Sequence, residues 1–135
     1  MTGTTIQNAN LSVLIVDDDE FSRAIFLRKM GALGFKDIYE AVNGRTAVVA
    51  MDQLQRPPDY LICDIFMPDM DGIEFVAELA KRNYEGGIIL VTGVNRDMLD
   101  VAADIAILKG LRVMGTFTKP VPLDSLSQAL GITAG

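Results

Sequence analysis

The stretch Leu11-Ser12-Val13-Leu14-Ile15-Val16-Asp17-Asp18-Asp19-Glu20 changes character in a single step. Up to Val16 it is a short, almost unbroken apolar run, the pattern of a strand buried on both faces. From Asp17 it is a block of carboxylates. The same texture recurs along the chain. Asp37 to Val42, Tyr60 to Asp64, Ile88 to Thr92 and Leu111 to Phe117 read as four further strands. Between them lie segments with helical spacing. Glu20 to Leu33 carries Phe26, Met30 and Leu33 at i, i+4 and i+7 and stops at Gly34. Asn43 caps a helix to about Leu54, ahead of Pro57-Pro58. Gly72 to Arg82 places Ile73, Val76 and Leu79 on one side, Asn95 caps a long helix to Leu108 closed by Gly110, and Leu123 to Leu130 is the last. Strict strand–helix alternation implies an α/β fold, a doubly wound parallel sheet of five strands with helices on both faces.

The bulk numbers fit that reading. The chain has 135 residues, half of them apolar, which suffices for one core. A net charge of −6 offers no basic footprint for nucleic acid or an anionic membrane surface. With no histidine, a histidine-ligated metal and a Ser-His-Asp triad are excluded. The single cysteine, Cys63, forms no internal disulfide, in keeping with a reducing compartment, and a cytoplasmic location is expected. Residues 1–10 are polar and small and are expected to form a flexible segment ahead of one domain over 11–135.

In parallel α/β sheets, ligands bind at the carboxyl ends of the strands, where the strand order switches. The first strand ends in Asp17-Asp18-Asp19-Glu20, the third in Asp64, the fourth in Thr92-Gly93 and the fifth in Thr118-Lys119-Pro120. Taken singly each is bland: an acidic run is a solvated loop, a threonine at a strand end is structural, and Lys-Pro is a turn. Together they put Asp17, Asp18 and Asp64 in one crevice with one ammonium and one hydroxyl. Three carboxylates that close repel one another unless one is protonated or a cation intervenes. Magnesium, bound through one or two carboxylates plus waters, resolves the conflict. Lys119 and Thr92 then suit a phosphoryl group, and a carboxylate can serve as the nucleophile that carries it.

With these residues on the page, the sequence resembles the response-regulator receiver family. The matching stretches are Val13-Leu14-Ile15-Val16-Asp17-Asp18, Ala41-Val42-Asn43-Gly44, Asp64-Ile65-Phe66-Met67-Pro68-Asp69-Met70-Asp71-Gly72, Val91-Thr92-Gly93 and Lys119-Pro120. They span about Leu11 to Leu130. The resemblance implies a flavodoxin-like strand order 2-1-3-4-5, with Asp64 as phosphoacceptor and Asp18 as the direct magnesium ligand. Asp17 would act on the cation through water, and the Phe66 backbone carbonyl would be the third protein ligand. It implies Thr92 as the switch hydroxyl, Lys119 as the phosphoryl partner and a cis Lys119-Pro120 bond. It further implies phosphoryl transfer from a sensor histidine kinase or phosphotransfer protein. Beyond its own phosphorylation and slow dephosphorylation, no enzymatic turnover is implied.

Two features depart from the family pattern. Thr116 stands three before the lysine, where an aromatic residue is usual, and Phe117 should face the other way. The fourth helix is long, and with Lys109 to Pro120 it resembles receivers joined to EAL-type cyclic di-GMP phosphodiesterase domains. On that helix Met98, Val101, Ala102, Ile105 and Leu108 form the expected buried stripe. Leu99, Ala103 and Ile107 are left for an output surface, used with the fifth strand in self-association or against an EAL domain outside these residues. Three rival readings stay open. A haloacid-dehalogenase-type phosphatase would use Asp17 and Asp19 but finds Phe21 where a threonine or valine belongs. A flavodoxin-type flavin carrier would be repelled by the acidic loop. A receiver-like module that is never phosphorylated is opposed by the complete acidic set and Lys119, and Thr116 keeps it open.

Overall fold

A computed structural model describes residues 10–67, 70–94 and 96–132. In chain order the elements are β1 (Ser12–Val16), α1 (Glu20–Ala32), β2 (Asp37–Ala41), α2 (Gly44–Gln53), β3 (Tyr60–Asp64), α3 (Gly72–Lys81), β4 (Gly87–Thr92), α4 (Arg96–Leu108), β5 (Arg112–Thr118) and α5 (Leu123–Leu130). Residues 1–9, Pro68, Asp69 and Asn95 lie outside the described residues. So do residues 133–135, and the expected amino-terminal segment, the Asn95 cap, the last residues of the expected domain and part of the Asp64–Gly72 motif have no structural account.

The strands pair in parallel in the order β2-β1-β3-β4-β5. Every residue of β1 and β4 is buried, because both sheet faces are covered. Alternate side chains therefore feed two cores. Leu14, Val16, Leu61, Cys63, Ile88 and Leu90 meet α2, α3 and α4 through Ala47, Met51, Phe75, Val76, Leu79, Leu99 and Ala102. Val13, Ile15, Ile62, Ile89 and Val91 meet α1 and α5 through Phe26, Met30, Leu126 and Leu130.

Local chemistry sets the ends of the helices. Asp19 caps α1 by accepting from the Phe21 amide. Asn43 caps α2 in a reciprocal box with Thr46. Asp71 caps α3 by accepting from the Glu74 amide. Gly34 (φ 99°) and Gly110 (φ 85°) turn the chain out of α1 and α4 in the left-handed region, where a Cβ is costly.

A β-bulge shapes the edge strand β5. Ile88 pairs with Val113 but Ile89 pairs with Gly115, so Met114 is the extra residue. The bulge resets the alternation: Met114 and Phe117 both join the α1/α5 core, and Thr116 stands opposite Leu90 on the α4 side. A Cβ on Gly115 would lie 2.7 Å from the Phe117 ring, so the glycine makes room for the aromatic on that face.

The structure corrects the reading of α4. Its buried stripe is Leu99, Ala102, Ala103 and Ala106, with Met98 and Ile105 partly buried beside it. Val101 and Leu108, expected inside, are exposed, while Leu99, expected on the output surface, is completely buried, and Ala103 is buried too. The reason is steric. Alanines let a helix axis approach the sheet closely, and the larger side chains flank that line of contact. Only Ile107, 58% exposed, remains where the output surface was expected. Leu99→Ala is therefore expected to destabilise the fold by about 2–5 kcal/mol, as a cavity in the core does. Ile107→Ala is expected to stay within about 0.5 kcal/mol of wild type. Urea unfolding of the two variants checks the reassignment.

Candidate functional site

The site sits where the strand order reverses, between β1 and β3. Val16 is in register with Cys63, so Asp17 and Asp64 leave adjacent strands side by side. Lys119, at the end of β5, crosses the carboxyl end of β4 to reach both. Its Nζ donates to Asp17 Oδ2 at 2.8 Å and to Asp64 Oδ2 at 2.7 Å. Asp17 and Asp64 are only 1% and 5% exposed, whereas Asp18 is exposed. Carboxylate oxygens of all three aspartates fall within 4.8 Å of one another.

Each carboxylate is held differently. Asp64 Oδ1 accepts from the Phe66 amide at 2.8 Å, so the donors of Phe66 and Lys119 fix its plane from two sides. Asp17 Oδ1 accepts from the Asp19 amide at 2.9 Å, and its Oδ2 takes the Ser22 hydroxyl at 2.6 Å besides Lys119. The backbone of Asp17 is tied as well, its amide to the Ala41 carbonyl and its carbonyl to the Arg23 guanidinium, which also pairs with Glu40. Ser22 and Arg23 were not among the sequence candidates. The signal was present in Ser22, a hydroxyl standing on the same stripe as Phe26 and Met30.

Burial raises the Asp64 carboxyl above its ordinary value, and Asp17 adds to the rise, while Lys119 and the Phe66 amide pull it down. Burial also works against the charge of Lys119, but its hydrogen bonds to Asp17 and Asp64 outweigh that and raise its pKa. Cys63 is fully buried beside Asp64 and its thiol is pushed well up, chiefly by burial, so it is inert packing.

An open cleft of about 520 Å³ is lined by Asp18, Asp19, Asp64, Phe66, Met67, Gly93, Val94 and Lys119. Phe66 and Val94, 44% and 80% exposed, stand on its rim. A Cβ on Gly93 would meet only Lys119, at 3.9 Å, which leaves space beside the ammonium. Thr92 is fully buried behind this wall; its Oγ1 accepts from the Val94 amide, and its carbonyl accepts from the Lys119 amide. The Lys119–Pro120 bond is cis. Thr116 lies apart from the cleft, in a hollow between α4 and β5 with Asp100, Asp104 and Ile107. A larger hollow of about 730 Å³ lies at the opposite edge of the sheet. Its Arg82 is already paired with Asp52 and Glu78, and its Arg112 donates to the Glu85 carbonyl.

The donor set fits a hard divalent cation: clustered carboxylate oxygens, one of them on an exposed residue, and no sulfur or imidazole. Without a cation, Lys119 is what makes two buried carboxylates tolerable. Lys119→Met in EDTA is expected to lose about 3 kcal/mol at pH 7, the cost of stranding a buried charge. The sign with pH follows from Asp64. Its folded pKa is raised, so its contribution to stability is present below the ordinary carboxylate value and is lost as pH rises through the folded pKa. Removing Lys119 deepens that loss. The deficit of the variant should therefore shrink as pH falls towards 4, and urea unfolding at several pH values checks it.

Comparison with known proteins agrees with this fold. Chemotaxis protein CheY of Listeria monocytogenes is 32% identical over 120 residues, covering 89% of this chain and 95% of that protein. A response regulator from Colwellia psychrerythraea superposes with a TM-score of 0.74 at 31% identity, covering 90% and 94% of the two chains. The cyclic di-GMP phosphodiesterase RocR of Pseudomonas aeruginosa is 26% identical over 121 residues, covering 90% of this chain but 31% of that protein. The chain spans 25% and 46% of the length of two other curated relatives. Among the described residues, no helix is long and apolar enough to cross a membrane. The response regulator receiver domain model matches residues 13–131, and the chain belongs to that family of two-component signalling modules.

Proposed function

We propose that the domain accepts a phosphoryl group on Asp64 from a phosphohistidine of a sensor kinase or phosphotransfer protein, and that this switches an output partner. The observation that carries the reading is the shared ammonium: Lys119 bridges Asp17 and Asp64 at the mouth of a cleft open to solvent. An oxygen of Asp64 forms the O–P bond as the donor's P–N bond breaks and the imidazole leaves. The Phe66 amide and Lys119 hold the carboxylate for that attack, and the ammonium is placed to follow the phosphoryl oxygens. Asp18, Asp64 and the Phe66 carbonyl would hold magnesium, with Asp17 behind a water. The cation supplies neutralisation of the carboxylate and phosphoryl charges. Thr92, one residue from the cleft wall, would turn its hydroxyl towards the phosphoryl group and so couple the site to α4.

The output is proposed to leave through α4 and β5. Thr116 opens the hollow between them, where a swinging aromatic would otherwise pack, and Ile107 is exposed on its rim. The partner would be a second receiver or a downstream domain. The resemblance to RocR supports an EAL-type domain outside these residues, in a cytoplasmic pathway that uses cyclic di-GMP. The absence of an aromatic at 116 also supports the second reading, an interaction module that is never phosphorylated.

Intact mass after incubation with acetyl phosphate and magnesium separates the two. The wild type should gain one phosphoryl group, Asp64→Asn should gain none while keeping its fold, and labelling that persists in Asp64→Asn would falsify the assignment. Ile107→Glu should leave labelling intact and weaken self-association in beryllofluoride by sedimentation; unchanged association removes Ile107 from the output surface.

A further inference from the structure

Ser22 is the third residue of α1, close to fully buried, on the stripe that continues through Phe26 and Met30. A serine gains little from a helix or from an apolar core, and a buried hydroxyl without a partner is costly. Its partner is Asp17 Oδ2, at 2.6 Å, the same oxygen that receives Lys119 at 2.8 Å. With the Asp19 amide on Oδ1, three donors engage the Asp17 carboxylate. The Ala41 carbonyl and Arg23 fix the backbone of the same residue. Asp17 is thus pinned at four of its polar atoms, while its neighbour Asp18 stays exposed at the cleft.

We propose that Ser22 is a positioning residue for the cation and phosphoryl site: its hydroxyl holds the Asp17 carboxylate on Lys119, so that Asp18 is presented to the cation and Asp17 is not. An ammonium has three N–H donors. Two are committed to Asp17 and Asp64, and the third is left for an incoming phosphoryl oxygen. That arrangement holds only while Asp17 keeps its rotamer. Without the hydroxyl, Asp17 loses that rotamer, and with it both its water-mediated hold on the cation and the placing of the ammonium.

The inference rests on the reading that a divalent cation binds at Asp18 and Asp64, and the test keeps the two apart. Magnesium alone is titrated into wild type, Ser22→Ala and Ser22→Thr, with the amide shifts of Asp18 and Phe66 followed by NMR. Thermal unfolding in EDTA is measured alongside. Ser22→Ala should bind magnesium about 10-fold more weakly, the low end of the range found when an outer hydrogen-bond partner around a metal site is removed. Ser22→Thr, which restores the hydroxyl, should return to near the wild-type affinity. The same order should hold for beryllofluoride in saturating magnesium, where Lys119 meets the added group. Ser22→Ala binding like wild type overturns the inference and leaves the cation site standing. Equal losses in Ser22→Ala and Ser22→Thr, tracking their unfolding temperatures, also overturn it, because Ser22 then only fills space. No magnesium response in the wild type overturns both readings.

Discussion

One ammonium holds the functional edge of this domain together. Lys119 reaches across β4 to two carboxylates that leave adjacent strands, and both are buried. Buried carboxylates side by side repel, and the two could not both stay ionised there without a cation between them. The same bond draws the end of β5 onto the β1–β3 seam. The Lys119 amide, donating to the Thr92 carbonyl, ties in the end of β4. Charge balance at the site and closure of the sheet edge are therefore one problem with one solution.

That solution is incomplete in a useful way. Burial keeps Asp64 above its ordinary pKa even with Lys119 and the Phe66 amide in place. The cost of that buried charge is relieved by a divalent cation or by a proton on the carboxylate. A site balanced in this way responds to added charge, because any ligand that treats the two states differently shifts their populations. The side chains around the carboxylates differ in how tightly they are held. Asp17 is pinned on all sides, Asp18 is exposed, and Thr92 is packed behind Gly93 and Val94. Fixed and open groups thus alternate around the cleft, which suits a site that must hold its shape and still admit a small ligand.

Away from the cleft, the edge strand shows how a single extra residue redirects side chains. The Met114 bulge sends Phe117 to the α1/α5 core and leaves Thr116 facing α4. Gly115 is what leaves room for the aromatic there. The hollow beside Thr116 follows from these three neighbouring residues acting together.

Much of this was legible from the sequence alone, for physical reasons. Strands covered on both faces must be apolar throughout, so Val13 to Val16 and Ile88 to Val91 announce themselves. Helix ends need caps and left-handed turns, so Gly34, Asn43 and Gly110 mark them. Parallel pairing in an α/β sheet sends the carboxyl ends of the strands to one edge, which is enough to bring Asp17, Asp18, Asp64 and Lys119 together. Two things belonged to tertiary structure. Periodicity offered α4 two overlapping apolar stripes, and only the close approach of Ala102, Ala103 and Ala106 to the sheet decided that Leu99 goes inside. Likewise, Ser22 reads as a weak spot in an amphipathic helix until the fold sets its hydroxyl against Asp17. A side chain's partner across five residues of turn and helix depends on where the backbone puts both ends, and no local pattern contains that distance.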